Sequence, residues 1–343
     1  MVSMNDVARA AGVSQKTVSR VVNGEPHVRA DVVARVRAAV EELGFRPNAA
    51  ARALVTRRSR RIGVISIGGL LHGPAAMLAA LEREIREAGY AVALIRTAAS
   101  TPAEIQAAMD ALAAEGVDGI ILSEPVDNAT ITAAGPEGDT EDHGEGAVAA
   151  PPGIPLLTVA PGDHDDPAAI QVGVDQSGGA RQATAHLLAL GHATVAHIAG
   201  PQAWAPARQR LHGWRAALLD AGAPVHDPVE GDWSPASGFA AMRELLERRK
   251  PTAVFAANDH MAIGALRAIT EAGLGVPADV SVVGFDDLPE AEFLSVSLTT
   301  VRYDPAEVAR HGVRRLIQAI ARGAGSPPHL TRTELIVRES TQR

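Results

Sequence analysis

Gln15, Lys16, Ser19 and Arg20 fall on one side of a short helical pattern and present long donors with no apolar bulk among them. Val18, Val21 and Val22 take the other side. An outer face of this kind suits the major groove of a DNA duplex, where base edges offer a sequence-dependent set of donors and acceptors. An ordinary surface helical hairpin has the same spacing, so the reading depends on the elements around it.

Those elements support it. Met4, Val7, Ala8 and Ala11 recur at i, i+3, i+4 and i+7, which is one apolar face of a preceding helix. Gly12 can take the left-handed conformation that ends that helix, with Val13 packed under the turn. Ser14 stands where an N-cap belongs. A third helix follows, with Val32, Val36, Val40 and Leu43 on one face. Residues 1–61 hold 12 Lys and Arg against 5 Asp and Glu, a net +7, whereas the whole chain carries −8. A basic end on an acidic body is expected when only one end meets phosphate.

The runs Asp6-Val-Ala, Ala11-Gly-Val-Ser, Thr17-Val-Ser-Arg-Val-Val-Asn23 and Gly44-Phe-Arg-Pro-Asn-Ala-Ala-Ala-Arg-Ala-Leu54 resemble the headpiece and hinge of the lactose/galactose repressor (LacI/GalR) family. The resemblance implies a transcription regulator that binds double-stranded operator DNA as a homodimer. It places Gln15, Lys16 and Arg20 on base edges, and Thr17, Ser19, Asn23 and His27 mainly on phosphates. Arg20 can pair bidentately with guanine and Gln15 with adenine. Arg29 departs from the family's small hydroxyl residue at that position and cannot cap the third helix in the same way.

Residues 47–61 read as a hinge helix and linker. Pro47 stops what precedes it, and Asn48 can cap a short helix through Ala51 to Leu54. That helix is too short to be stable alone, since isolated helices below about 12 residues are marginal. The resemblance implies that two such segments pair in the minor groove with Leu54 wedged into a base step.

From Ile62 the chain alternates short apolar runs with helical stretches. Runs at 62–67, 91–95, 117–122 and 156–159 form one set; a second occupies 170–174, 195–199, 253–256 and 280–285. This alternation gives parallel sheets with helices on both faces, and two sets give two lobes. The expected fold is α/β: an N-terminal three-helix helix–turn–helix headpiece (1–46), the hinge (47–61) and a two-lobed domain (62–343). The lobe bounds expected are about 62–160 with 291–322, and 161–290 with 323–343. Asp127–Gly153 has no apolar period and reads as a long, mobile surface insertion. Gly/Pro stretches at 160–167 and 323–328 suit crossings between lobes.

The body carries further family pieces: Val-Asp175, Gly178-Gly179, Arg208-Gln-Arg210-Leu-His-Gly213-Trp214, Ala-Asn258-Asp259, Gly284-Phe285-Asp286-Asp287 and Leu298-Thr-Thr-Val. They imply an effector domain of the periplasmic-binding-protein (type I) kind, with three crossovers and a small-molecule cleft. By the same resemblance Arg210 and Asn258 donate to ligand oxygens and Asp286 accepts from hydroxyls. Each has a structural alternative: a surface helix arginine, an N-cap and a helix-start carboxylate. Trp233, one of 3 Trp, lies between Asp and Ser in a loop. In one branch of the family the Trp of this stretch stacks on a sugar ring, and His72 and Pro74 match that branch's first-lobe loop. Ala160 stands where that branch has a sugar-binding Asp. Trp204 lies near the same cleft opening, or covers a helix end.

The chain has no cysteine, which excludes disulfides and thiol chemistry. No dinucleotide or phosphate loop and no Gly-x-Ser-x-Gly elbow occurs. His186, His192 and His197 are spaced wrongly for metal ligands on one helical face. No cofactor, metal or catalytic residue is expected, and no enzyme. No charged-then-apolar leader opens the chain, and no apolar run of about 18 residues occurs, so a cytoplasmic location without membrane contact is expected. Without an apolar heptad tail, a dimer is expected and not a tetramer. The expected function is a repressor released from a palindromic operator by a small sugar, with a purine or other non-sugar co-repressor as the alternative. A sugar-binding receptor without DNA function is the alternative of another class.

Overall fold

The computed structural model of the chain describes residues 2–22, 27–45, 58–67, 72–97, 101–123, 130–133, 147–159, 169–322 and 328–341. They fall into two compact units, 1–60 and 61–343.

The first unit holds α1 (Met4–Ala11), α2 (Gln15–Val22) and α3 (Ala30–Glu42). Ser3 and Asp6 cap α1 reciprocally, Ser3 Oγ accepting from Asp6 N and Asp6 Oδ2 accepting from Ser3 N. Gly12, at φ +61°, turns the chain out of α1, and Val13 N bonds back to Ala8 O at 3.0 Å. Ser14 Oγ accepts from Thr17 N at 3.2 Å and so caps α2. Arg29 makes no side-chain cap to α3; its Nε pairs with Asp31 at 3.1 Å. Val7, Ala11, Val18, Val36 and Phe45 form the core, with Val13, Val21, Val32, Val40 and Leu43 packed around it.

The second unit is built on two six-stranded sheets. The first lobe contains β1 (Arg61–Ile67), α4 (His72–Glu87), β2 (Ala91–Thr97), α5 (Pro102–Ala114) and β3 (Gly119–Leu122). Then come β4 (Thr130–Ala133), β5 (Ala147–Ala150), β6 (Leu156–Val159) and β7 (Ala169–Val174). The chain continues with α6 (Gln176–Ala189), β8 (Ala196–Ala199), α7 (Ala205–Asp220), β9 (Val229–Glu230), α8 (Pro235–Arg248), β10 (Ala253–Ala256), α9 (Asp259–Glu271) and β11 (Ser281–Phe285). It ends with β12 (Thr299–Arg302), α10 (Pro305–Arg322), β13 (His329–Thr331) and β14 (Glu334–Ile336).

The first sheet runs β13-β7-β6-β3-β1-β2, all parallel; the second runs β14-β12-β11-β10-β8-β9, with only β14 antiparallel. Strands such as Gly119–Leu122 and Ala253–Ala256 are buried throughout, as sheets covered on both faces require. Met77, Leu81 and Ile85 of α4 join Val308, Leu316 and Ile320 of α10 on one face of the first sheet. Ile105, Met109 and Leu112 of α5 fill the other. In the second lobe α8 and α9 cover one face, and α6 and α7 the other.

Three sequence expectations need correction. β7 pairs with β6 (Leu156↔Ala169), so it belongs to the first lobe and the first crossing falls at 174–176, not near 160. The second crossing lies between β12 and α10, and the third between β13 and β14, because β13 pairs with β7 and not with the second sheet. The stretches 160–167 and 323–328 therefore connect elements of one lobe. The 127–153 segment is not wholly a surface insertion: β4 and β5 pair in parallel, and Val148 and Ala150 are buried against α5. Gln106 of α5 pins β5, its Oε1 accepting from Ala149 N at 2.8 Å.

Candidate functional site

In the first unit, Gln15, Lys16 and Arg20 are exposed on α2, Thr17 and Ser19 are half-buried, and Val18 is buried beneath. The donors share the outer face because the three-helix core takes Val18, Val21 and Val22 inward. His27 is exposed, at φ +74°. Asn23, Asn48, Ala51 and Leu54 lie outside the described residues, as does Ala160.

In the second unit, one cavity of about 110 Å³ between the lobes is lined by His72, Pro74, Arg210, Trp233, Asn258 and Asp286 together. It lies beyond the carboxyl ends of the strands, where ligands of open parallel sheets bind. Gly73, Met77, Ser123 and Val159 add to its wall from the first lobe; Gln176 and Tyr303 complete it at the crossings, and Trp204 and Pro206 at the start of α7. His72 and Pro74 enter through the first turn of α4.

Arg210 organises the second-lobe side. It projects from α7 and is buried, so the surface-arginine alternative is excluded. Its Nε donates to Gln176 Oε1 at 2.8 Å, Nη1 donates to Ala257 O, and Nη2 donates to Asp286 Oδ1 at 3.2 Å. One guanidinium thereby ties the start of α6 to the segments after β10 and β11. Its plane lies over Phe285, with Cζ 3.7 Å from the ring centroid. Asp286 sits at φ +110° just past β11, in no helix. Burial pushes its carboxyl up, against the opposing pull of Arg210 and His72.

Asn258 is both an N-cap and a cavity residue. Its Oδ1 accepts from Met261 N at 2.9 Å, and its Nδ2 donates to Trp233 O at 3.1 Å. That bond is possible because α8 and α9 cross through glycines. A Cβ at Gly264 would strike Pro235 O, and one at Gly238 would strike Met261 O. Backbone contact at the crossing brings the segment before α8 against the start of α9. Trp233, at φ +73°, is only 7% exposed and belongs to the lobe's core as well as to the cavity wall. Its ring packs on Gly200 and stands edge-on to Trp204, with centroids 6.3 Å apart. Its Nε1 is buried without a partner among the described residues.

Behind this wall lie two more acids. Asp259 Oδ1 accepts from Thr300 Oγ1 at 2.6 Å and Oδ2 from Leu288 N at 2.8 Å. Burial first, then the charge of Asp286, pushes Asp259 up to about 8. Asp287 is held by Arg302 at 2.6 Å and Arg338 at 2.7 Å. His197 is stacked between Trp214 and Phe255, its Nδ1 on Phe255 O at 2.8 Å, and burial brings it down to about 4. His192 bonds Thr252 and Ser281, and His186 bonds Thr341. Among the described residues no group of acids and histidines has the arrangement of a metal site.

A sequence family described as bacterial regulatory proteins of the lacI family matches residues 3–48, and a periplasmic binding protein-like domain matches 184–341. The lactose operon repressor of Escherichia coli (strain K12) is 36% identical over 342 residues, covering 99% of this chain and 91% of that protein. The chain belongs to the LacI family. It is accordingly a DNA-binding repressor with an effector-binding domain and not an enzyme. The lac repressor dimer bound to operator and the anti-inducer ONPF matches with a TM-score of 0.85 at 35% identity, covering 100% of this chain and 99% of that one. The complex of the transcriptional regulator CelR with cellobiose matches at 0.69 and 32%, covering 99% and 100%. No helix of this LacI-family chain, among the described residues, is long and apolar enough to cross a membrane.

Sequence reasoning passed over Gln176 and Tyr303. Gln176 follows the quoted Val-Asp175 and carries no motif of its own. Tyr303 had a signal: it is one of 2 Tyr in the chain and comes two residues after the quoted Leu298-Thr-Thr-Val.

Proposed function

We propose that the chain is a sugar-responsive repressor acting in the cytoplasm as a homodimer on a palindromic operator. Gln15, Lys16 and Arg20 read base edges; Thr17, Ser19, Asn23 and His27 hold phosphates. Asn48, Ala51 and Leu54 act at the hinge, where Leu54 wedges open a base step. A neutral sugar or glycoside in the cleft releases the operator.

The gathering of a guanidinium, a carboxylate, an amide and an indole around one cavity carries this reading. Arginine has five N–H groups, and three of those of Arg210 have partners among the described residues, which leaves two for ligand oxygens. Asn258 keeps a second amide N–H, and Asp286 a second carboxylate oxygen. Hydroxyls both donate and accept, so a polyol meets this set without leaving a buried polar group unmatched. Met77, Val159, Pro206 and Trp233 offer apolar surface to the C–H faces of a ring. A phosphorylated ligand would set a second anion beside Asp286, whose charge already balances Arg210. The cellobiose in the CelR complex supports the same class.

Release requires unequal binding to two states, and a tenfold fall in operator affinity needs about 1.4 kcal/mol of difference. A thermal-shift screen of the full chain against galactose, lactose, cellobiose, ribose, glucose 6-phosphate and hypoxanthine tests the class. A higher melting temperature with a neutral sugar, together with operator release followed by fluorescence polarisation, is the expected result. Tighter operator binding with hypoxanthine alone would replace this reading with co-repression. If Leu54→Ala held operator as tightly as the parent, the wedge would be wrong.

A further inference from the structure

Tyr303 occupies the second crossing, between β12 of the second sheet and α10, which packs on the first. Its ring touches the cores of both lobes and lies 6.5 Å from Phe285, centroid to centroid. Its hydroxyl reaches the first turn of α4, where a Cβ on Gly73 would stand 3.3 Å from it. Any larger residue at 73 would crowd this approach. Tyr303 lines the same cavity as Arg210 and Asp286, its hydroxyl lies beside Gly73 of the same lining, and it makes no hydrogen bond among the described residues. Arg210, Asn258, Asp286, Gln176 and Ser123 of the wall each already bond to another part of the protein, whereas Trp233 Nε1, like the phenol, has no partner among the described residues. Burial, then the Asp286 charge, pushes the phenol's pKa up, so it keeps its proton and can donate.

We propose that Tyr303 is a specificity-determining ligand contact: its hydroxyl, placed at a lobe crossing and facing the cavity without a partner, donates to an oxygen of the bound ligand. This rests on the sugar reading for the class of ligand, a neutral polyol, but not for the role of the residue. Because Tyr303 leans on both cores and sits on a connecting segment, a ligand that engages it makes one bond whose anchor belongs to both lobes. A ligand that covers the hydroxyl without offering it an oxygen leaves it unmatched, the situation that discriminates most sharply between close analogues.

Tyr303→Phe keeps the ring between the two cores and removes only the hydroxyl. Lactose, cellobiose, galactose and hypoxanthine are titrated by calorimetry into the full-length parent and into Y303F. The unliganded melting temperature of Y303F serves as the control for folding. For whichever probe binds the parent, the expected result is a dissociation constant about tenfold higher in Y303F. For a sugar, one deoxy analogue is expected to bind parent and Y303F equally, since each change removes the same bond. Equal affinity of parent and Y303F for the binding probe overturns the proposal. If hypoxanthine alone binds, the sugar reading fails, while the parent-to-Y303F ratio for hypoxanthine still decides the role of Tyr303.

Discussion

Arg210 Nη2 stands 3.2 Å from Asp286 Oδ1, with the side chains only 6% and 9% exposed. Removing one member strands the other's charge in the interior, at a cost of about 3–5 kcal/mol. Arg210→Ala is expected to destabilise the chain on that order and to abolish the effector response. The double variant R210A/D286A should lose less stability than the two singles added together. Urea unfolding measures both, and strict additivity would mean that the pair is not coupled.

Asp259 and His197 predict an unusual pH profile. Asp259 is raised to about 8, so between about 4 and 8 the unfolded chain has released this proton while the folded chain keeps it, and stability falls as pH rises. His197 is lowered to about 4, so between about 4 and 6.5 the unfolded chain binds a proton that the folded chain does not, and stability rises with pH. The two slopes oppose each other below about 6.5, and only that of Asp259 remains from there to about 8. The expected loss is at most about 1.4 kcal/mol per unit over that upper window. Asp259→Asn, compared with the parent by chemical denaturation at pH 6.5 and pH 8, should remove the decline; an unchanged decline would place its source elsewhere.

Gly264→Ala forces a methyl against Pro235 O at the α8–α9 crossing. Overpacking of this kind costs about 1–3 kcal/mol. Because the same crossing aligns Trp233 O with Asn258 Nδ2, ligand affinity should fall along with stability. Calorimetry on G264A at a temperature where it stays folded separates the two effects. Unaltered affinity would show that the crossing does not hold the cleft wall.

On the DNA side, Arg20→Ala is expected to cost about 1–3 kcal/mol of operator affinity and to relax the preference at one base pair. Thr17→Ala should weaken binding about equally on all sequences. Competition binding with single-base operator variants distinguishes these patterns, and a uniform loss for Arg20→Ala would move it to the phosphate group.

Elements with strong apolar runs could be read from the chain alone: the runs at 156–159 and 253–256 are β6 and β10. Lobe membership could not. Periodicity shows that Ile170–Val174 is a strand, but its partner β6 is a matter of tertiary register. Thr130–Ala133 and His329–Thr331 carry too few large apolar residues to stand out, and they form strands because a partner edge is available. The six cleft residues were reached through the family resemblance, and the structure brings all six to one cavity. Their supports were not readable. Gln176 matters only because Arg210 meets it across 34 positions of sequence, and Trp233 is more buried than its polar neighbours imply.

The placement of β13 and β14 bears on how the chain comes off the ribosome. β13 closes the edge of the first sheet and β14 that of the second, and only two residues, Arg332 and Thr333, separate them. Neither lobe can therefore finish its sheet during synthesis until translation has passed residue 330. Both then complete almost together, from one short stretch of nascent chain. Domains usually fold in order from the N-terminus as they emerge. Here each lobe keeps an open sheet edge until the last strands arrive.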